Sequence, residues 1–116
     1  MSGRFRVVDT GVRDGRFNIS VDQAMIELHQ AGRIADTFRF MRFPPTALLG
    51  RHQALSQEVD LPYCQAHGVG VVRRITGGGA IYLDEGQLGW GLIFKRAALG
   101  AVSLPELARD ICLAVA

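Results

Sequence analysis

Apolar positions along the chain repeat with two periods, every second residue and every third or fourth, and the changes of period mark its elements. Phe5 to Val8 reads as a short strand, followed by a glycine-punctuated turn reaching Phe17. Ser20-Val21-Asp22-Gln23 has the form of a capping box, and Val21, Ala24, Met25 and Leu28 follow at helical spacing. This predicts a first helix from Ser20, stopped by Gly32. Thr37 to Phe43 is aromatic and strand-like and ends at Pro44-Pro45; Thr46 to Leu49 is a second short strand. Asp60-Leu61-Pro62 opens a short helix that Gly68 closes. Beyond it, Val69, Val71 and Val72 lead into a loop, with strands on either side of Gly86.

The strand Leu88 to Phe94 alternates cleanly. Leu88, Trp90, Leu92 and Phe94 share one face, and Gly89, Gly91 and Ile93 share the other. Two glycines on one face leave a trough, which is either space for a ligand's acyl chain or the mark of a bulge or close packing. Ser103-Leu104-Pro105-Glu106 is a second capping box, ahead of an apolar stripe of Leu104, Leu107, Ala108, Ile111, Cys112 and Val115. The order is strand, helix, two strands, helix, three strands, helix. It predicts an α+β fold: a mixed, largely antiparallel sheet with packed helices. The final helix has no C-cap, so residues 1–116 read as the N-terminal part of a larger single domain.

Composition narrows the classes. With 48% apolar and 21% charged residues the chain is globular. No apolar run approaches membrane-spanning length, and the first residues lack the apolar stretch of a signal peptide, so no membrane is expected and the cytoplasm is the expected setting. The net charge is +2, and Lys95 is the one lysine among thirteen basic residues. The arginines are scattered over loops and strands, which argues against a nucleic-acid partner. Cys64, Cys112 and the three histidines lack ligand spacing, so no metal site is expected; both cysteines read as packed free thiols.

The densest chemistry lies in Arg73-Arg74-Ile75-Thr76-Gly77-Gly78-Gly79-Ala80-Ile81-Tyr82-Leu83-Asp84. Glycine reaches φ > 0 and has no Cβ, so a triple brings backbone N–H groups against a ligand; arginine adds a planar cationic fork. That is the chemistry of holding an anion. No Gly-Lys-Ser/Thr follows, and the glycines open a strand rather than a helix, which excludes a Walker loop and a dinucleotide fingerprint.

This run resembles the signature of the lipoate-protein ligases and octanoyltransferases, a superfamily shared with biotin-protein ligases: Arg-Arg-x-Ser/Thr-Gly-Gly-Gly-Ala-Val/Ile-aromatic-His-Asp, then Gly-Asn. Leu83 stands in place of His, and Gln87 in place of Asn. Upstream, the strand to Phe43, the prolines and Gly50-Arg51-His52-Gln53 are similar to the family's pattern as well. The resemblance implies a biotin/lipoate protein ligase-like fold and ATP-dependent attachment of lipoate to a lysine of an acceptor protein, through an acyl-AMP. It places Arg74, Thr76, Gly77, Gly78 and Gly79 at the carboxyl and α-phosphate. Ala80, Ile81, Tyr82 and Leu83 fall along the adenine and ribose, and Gln87 near the phosphates. ATP, Mg²⁺ and lipoate are the implied cofactors and substrate. Lipoyl domains of 2-oxoacid dehydrogenases or the glycine cleavage H protein are the implied acceptors. The family's catalytic lysine, and the cysteine of its transferases, lie beyond Ala116. The alternatives are an octanoyl or lipoyl transferase fed by an acyl carrier protein, and a binding module completed by a second chain. The triple glycine favours the ligase, since one group of transferases carries Gly-Gly-Arg there.

Overall fold

The computed structural model describes residues 5–95 and 104–115. The element order is β1 (Arg6–Val12), α1 (Gly15–Gln30), β2 (Thr37–Arg42), β3 (Thr46–Leu49), α2 (Leu55–Glu58), α3 (Leu61–Ala66), β4 (Gly70–Arg73), β5 (Ile81–Leu83), β6 (Gly89–Ile93) and α4 (Leu104–Val115). The strands form two three-stranded sheets, ordered β1-β2-β6 and β4-β3-β5. In each, the central strand has one parallel and one antiparallel neighbour. Parallel pairing needs a crossover: α1 connects β1 to β2, and α2 with α3 connects β3 to β4. The fold is thus α+β with mixed sheets, as the pattern predicts, and the strands divide between two sheets.

Helix α1 corrects the first capping box. It starts at Gly15, with Asp14 as N-cap accepting from the Phe17 amide at 2.7 Å. Ser20 and Gln23 fall inside it, and Gln23 donates instead to Glu27 at 2.7 Å. Of the predicted stripe Val21, Ala24, Met25 and Leu28, only Met25 is buried. Gly15, Asn18, Met25 and His29 are buried, while Ala24 and Leu28 are exposed. The cause sits on β2, where the buried positions are Thr37, Arg39 and Met41 and the aromatics Phe38 and Phe40 face the other way. A buried arginine demands polar partners, and α1 supplies them.

Gly32 does stop α1. At φ +72° it lets its own amide reach the His29 carbonyl and that of Arg33 reach Leu28, satisfying the last turn. Helix α3 opens on Asp60, which accepts from the Tyr63 amide, and closes ahead of Gly68 at φ +68°. The one element absent from the predicted order is α2, four residues long. The cap assigned to Ser103 lies outside the described residues. Cys64 is buried, but Cys112 is exposed, contrary to a packed thiol there. Among the described residues no helix is long and apolar enough to cross a membrane.

Candidate functional site

Two loops meet where β3 and β4 run out in parallel. Leu49 pairs with Arg73, and the chain then leaves β3 through Gly50-Arg51-His52-Gln53 and β4 through Arg74 to Ala80. The Arg74 amide donates to the Leu49 carbonyl at 2.8 Å and the Arg51 amide to the Thr76 carbonyl at 2.8 Å, stitching the loops together. The two arginine side chains complete the stitching. Arg73 Nη1 donates to the carbonyls of Gly50, Arg51 and Gln53 at 3.0, 3.2 and 2.7 Å. Arg74 Nη2 donates to the carbonyls of Gly77 and Gly79 at 2.8 and 2.9 Å. Arg74 therefore holds the glycine loop from within.

The glycines are required by this geometry. Gly78 sits at φ +106°, and a Cβ there would lie 2.6 Å from Arg74 Nη2. A Cβ at Gly50 would overlap the Gly78 carbonyl. In consequence the amides of Gly77, Gly78 and Gly79 find no acceptor among the described residues and stand exposed. Unpaired amides beside a guanidinium are chemistry suited to an anion.

Behind the loop lies a cavity of about 360 Å³, within the usual range for small-molecule sites. Ile19 and Ile26 of α1, Met41, Phe43 and Leu48, and Ile93 of β6 make it chiefly apolar; Arg74, Ile75 and Thr76 line it as well. Gly89 and Gly91 line it too, so the trough on β6 faces this space. The register explains how: Met41 lies opposite Gly89 and Arg39 opposite Gly91. A Cβ at Gly89 would come 3.1 Å from Met41 Cγ. The glycines make room for the Met41 side chain, whose Cε would lie 3.9 Å from a Cβ at Gly91, and for the cavity.

Sequence reasoning passed over the polar cluster on the cavity wall. Arg39 is 1% exposed. Its Nη1 donates to the Asn18 carbonyl and to Asp22 Oδ1 at 2.7 Å, and its Nη2 to Thr10 Oγ1 and to Asn18 Oδ1 at 2.6 Å. Asn18, fully buried, turns its amide nitrogen to the carbonyls of Arg13 and Arg42. Burial pushes the Asp22 carboxyl above the usual carboxylate range, and the hydrogen bond and charge of Arg39 pull it partly back. The available signal was an arginine placed between two phenylalanines on a strand with a helix to come against it.

Of the residues singled out from the sequence, Arg74 and Thr76 line the cavity, and Gly77 to Gly79 follow in the loop without lining it. Ala80 leads into β5, where Ile81, Tyr82 and Leu83 pair with Leu48, Ala47 and Thr46. Ile81 and Tyr82 are about half exposed. Gln87 is not at the cavity: its Oε1 accepts from the Asp84 amide at 3.0 Å inside the turn between β5 and β6.

The site of this α+β domain is thus an apolar cavity that meets an arginine- and glycine-rich loop at Arg74 and Thr76. The profile of the lipoyl protein ligase A/B catalytic domain matches residues 14–113, and the chain belongs to that family. It is 42% identical over 82 residues to the octanoyltransferase LipM of Moorella thermoacetica, a match covering 70% of this chain and 30% of that one. It is 33% identical over 93 residues to lipoate-protein ligase A subunit 1 of Thermoplasma acidophilum, covering 80% and 35%. The crystal structure of a lipoate-protein ligase A bound with ATP superimposes with a TM-score of 0.68 at 30% identity, covering 85% of this chain and 41% of that one. The chain spans roughly a third of the length of these curated relatives. Relatives carry both enzyme names, so the comparisons do not separate ligase from transferase.

Proposed function

We propose that residues 1–116 form the acyl-binding, N-terminal part of a catalytic domain that attaches a lipoyl or octanoyl group to a lysine of an acceptor protein. The observation that carries this is the junction of the apolar cavity with the glycine loop at Arg74 and Thr76. An eight-carbon chain enters the cavity, and its carboxyl carbon comes to rest where the free amides of Gly77 to Gly79 and the hydroxyl of Thr76 donate to its oxygens. Donors aimed there stabilise negative charge developing during acyl transfer.

Activation by ATP through an acyl-AMP is the first reading, and the ATP-bound lipoate-protein ligase A supports it. Ala80 to Leu83 then run along the nucleotide, and Gln87 lies further out near the phosphates. Transfer from an acyl carrier protein is the second, supported by the similarity to LipM. Mg²⁺ would accompany ATP. The described residues hold no cluster of three carboxylate, histidine or cysteine ligands, so the ion would be carried chiefly by phosphate oxygens. Lipoyl-acceptor domains and a cytoplasmic setting belong to the same proposal.

Titration of the chain with octanoate and with lipoate tests the cavity, expected to give saturable binding that Leu48→Asp weakens at least tenfold. Absence of binding by a chain that melts cooperatively would sink the assignment. ATP-dependent release of pyrophosphate, assayed with lipoate, separates the two readings.

A further inference from the structure

Among the described residues that line the cavity, Asp22 is the one carboxylate, set between Ile19 and Ile26 on the same face of α1. The charged groups that share the cavity with it are Arg39 of β2 and Arg74 of the loop; β6 brings glycines and apolar residues, and β3 brings Leu48. Other charged groups near α1 are engaged elsewhere. Arg73 of β4 is held by carbonyls of the Gly50–Gln53 turn, Glu27 accepts from the Gln23 amide, and His29 pairs with Asp36 at the far end of the helix.

One oxygen of the Asp22 carboxyl is committed and the other is not. Oδ1 accepts from Arg39 Nη1 at 2.7 Å, and Oδ2 has no hydrogen bond among the described residues. The Asp22 side chain is 36% exposed, whereas that of Arg39 is 1% exposed. Because Asp22 lines the cavity, whatever fills the cavity competes with water for the free oxygen. An alkyl chain offers that oxygen no donor, and a carboxylate stripped of water is disfavoured against the neutral acid. Arg39 opposes this, but its bond to Oδ1 is already made in the empty cavity, and its terminal nitrogens are shared with Asn18 and Thr10. What filling changes is the hydration of Oδ2. Burial already outweighs Arg39 in raising the Asp22 carboxyl above the ordinary range, so filling pushes further in the same direction.

We propose that Asp22 couples acyl binding to proton uptake: an alkyl chain entering the cavity displaces water from Oδ2, and the carboxyl takes a proton there from solvent. Oδ1 remains the acceptor of Arg39, so the contact between α1 and β2 survives protonation. Uptake of a proton on binding makes the acyl group held most tightly at low pH. The hold weakens as pH rises through the range in which the filled site gives the proton up. An ionised Asp22 keeps the wall wet and favours release of the chain. This coupling rests on the acyl-binding reading for its occupant.

Octanamide is the probe, because it keeps the eight-carbon chain and lacks the titrating carboxyl of octanoate. Calorimetric titration of the 116-residue chain in buffers of different ionisation enthalpy counts the protons taken up. The parent is expected to take up part of a proton per octanamide bound in the weakly acidic range. Its affinity is expected to fall about threefold or more between about pH 4.5 and about pH 7.5, the effect of moving one titration by about half a pH unit. Asp22→Asn is neutral at every pH and keeps an oxygen for Arg39 Nη1. It is expected to bind octanamide as the parent does at low pH, with no proton uptake and no pH dependence. The infrared band of a protonated carboxyl, growing as octanamide is added to the parent, reads the same event without a substitution. Binding by the parent with neither proton uptake nor that band overturns the coupling and leaves the acyl-binding reading standing. So does uptake that persists in Asp22→Asn, or a variant that binds weakly at every pH. Failure of octanamide to bind a cooperatively melting parent at any pH overturns the acyl-binding reading and the coupling with it.

Discussion

Arg39 shows how one residue redirects its surroundings. A guanidinium taken from water needs acceptors for its donors, and here Thr10, Asn18 and Asp22 accept from both terminal nitrogens, while Nε is buried without a partner among the described residues. Replacing it by Met would leave those acceptors facing an apolar chain. Urea unfolding of Arg39→Met is expected to show a loss of about 3–5 kcal/mol, as for a broken buried pair. Asp22 adds a pH dependence of definite sign. Because its carboxyl is held above the ordinary 3.8, the folded chain binds that proton more tightly than the unfolded chain. Its contribution is therefore fully present below the unfolded value and is lost as pH rises through the folded one. The melting temperature of the parent, measured against Asp22→Asn, should decline across the weakly acidic range; a constant difference would show the shift to be absent. None of this network was legible in the sequence. Alternation along β2 gave the strand but not which face is enclosed, and aromatic residues are the ordinary candidates for the inside. At the glycine loop, by contrast, residue type and spacing were enough, since few sequences other than a glycine triple accept φ +106° next to an arginine fork.

Among the elements, the strands and the loops between them were far more legible than the helix ends. The strand Thr46–Leu49 falls where the apolar run predicts it, and β2 ends one residue short of the predicted Phe43, because prolines and glycines punctuate both sides. Helix α1 begins five residues before the predicted Ser20, because Asp14 and Ser20 both fit an N-cap in isolation and only packing decides between them. That packing is Gly15 against β4 and β3: a Cβ there would stand 2.6 Å from Val72 Cγ2 and 3.2 Å from Thr46 Cγ2. The pairing of the two loops was not legible at all, because it joins Gly50 to Gly78 across 28 positions of sequence (78 − 50). It makes a clear prediction. Gly50→Ala has no room beside the Gly78 carbonyl, so the glycine loop must shift while the sheets remain intact. Octanoate binding should fall, with a melting transition lowered by only a few degrees, the response to about 1 kcal/mol in a domain of this size. Arg74→Ala should act in the same direction by removing the two bonds to Gly77 and Gly79, weakening ligand binding by about 1.5–3 kcal/mol. Parent-like titrations from either variant would mean that the loop tolerates rearrangement and does not shape the site.

At the scale of the molecule, the described residues enclose a cavity whose lining holds no lysine, cysteine or histidine. The cavity and the loop beside it supply shape, donors and positive charge, whereas Lys95 lies outside that lining. Large apolar side chains remain exposed on and beside β5, with Ile75 at 39%, Ile81 at 49%, Tyr82 at 53% and Leu88 at 52%. Among the described strands β5 pairs with β3 alone, leaving its other edge open. An open edge flanked by apolar side chains is a surface that further chain covers readily. Binding and turnover should therefore separate. The 116-residue chain is expected to bind octanoate or lipoate yet to modify no acceptor lysine, and addition of the remaining two-thirds of a relative's domain as a second chain should supply the missing step. Mass spectrometry of a lipoyl domain incubated with lipoate, ATP and both chains would show the added mass only in the mixture. Octanoyl-charged carrier protein in place of lipoate and ATP gives the transferase version of the same assay. Modification by the 116-residue chain alone would place the reactive group among the residues described here and require Lys95 to be reconsidered.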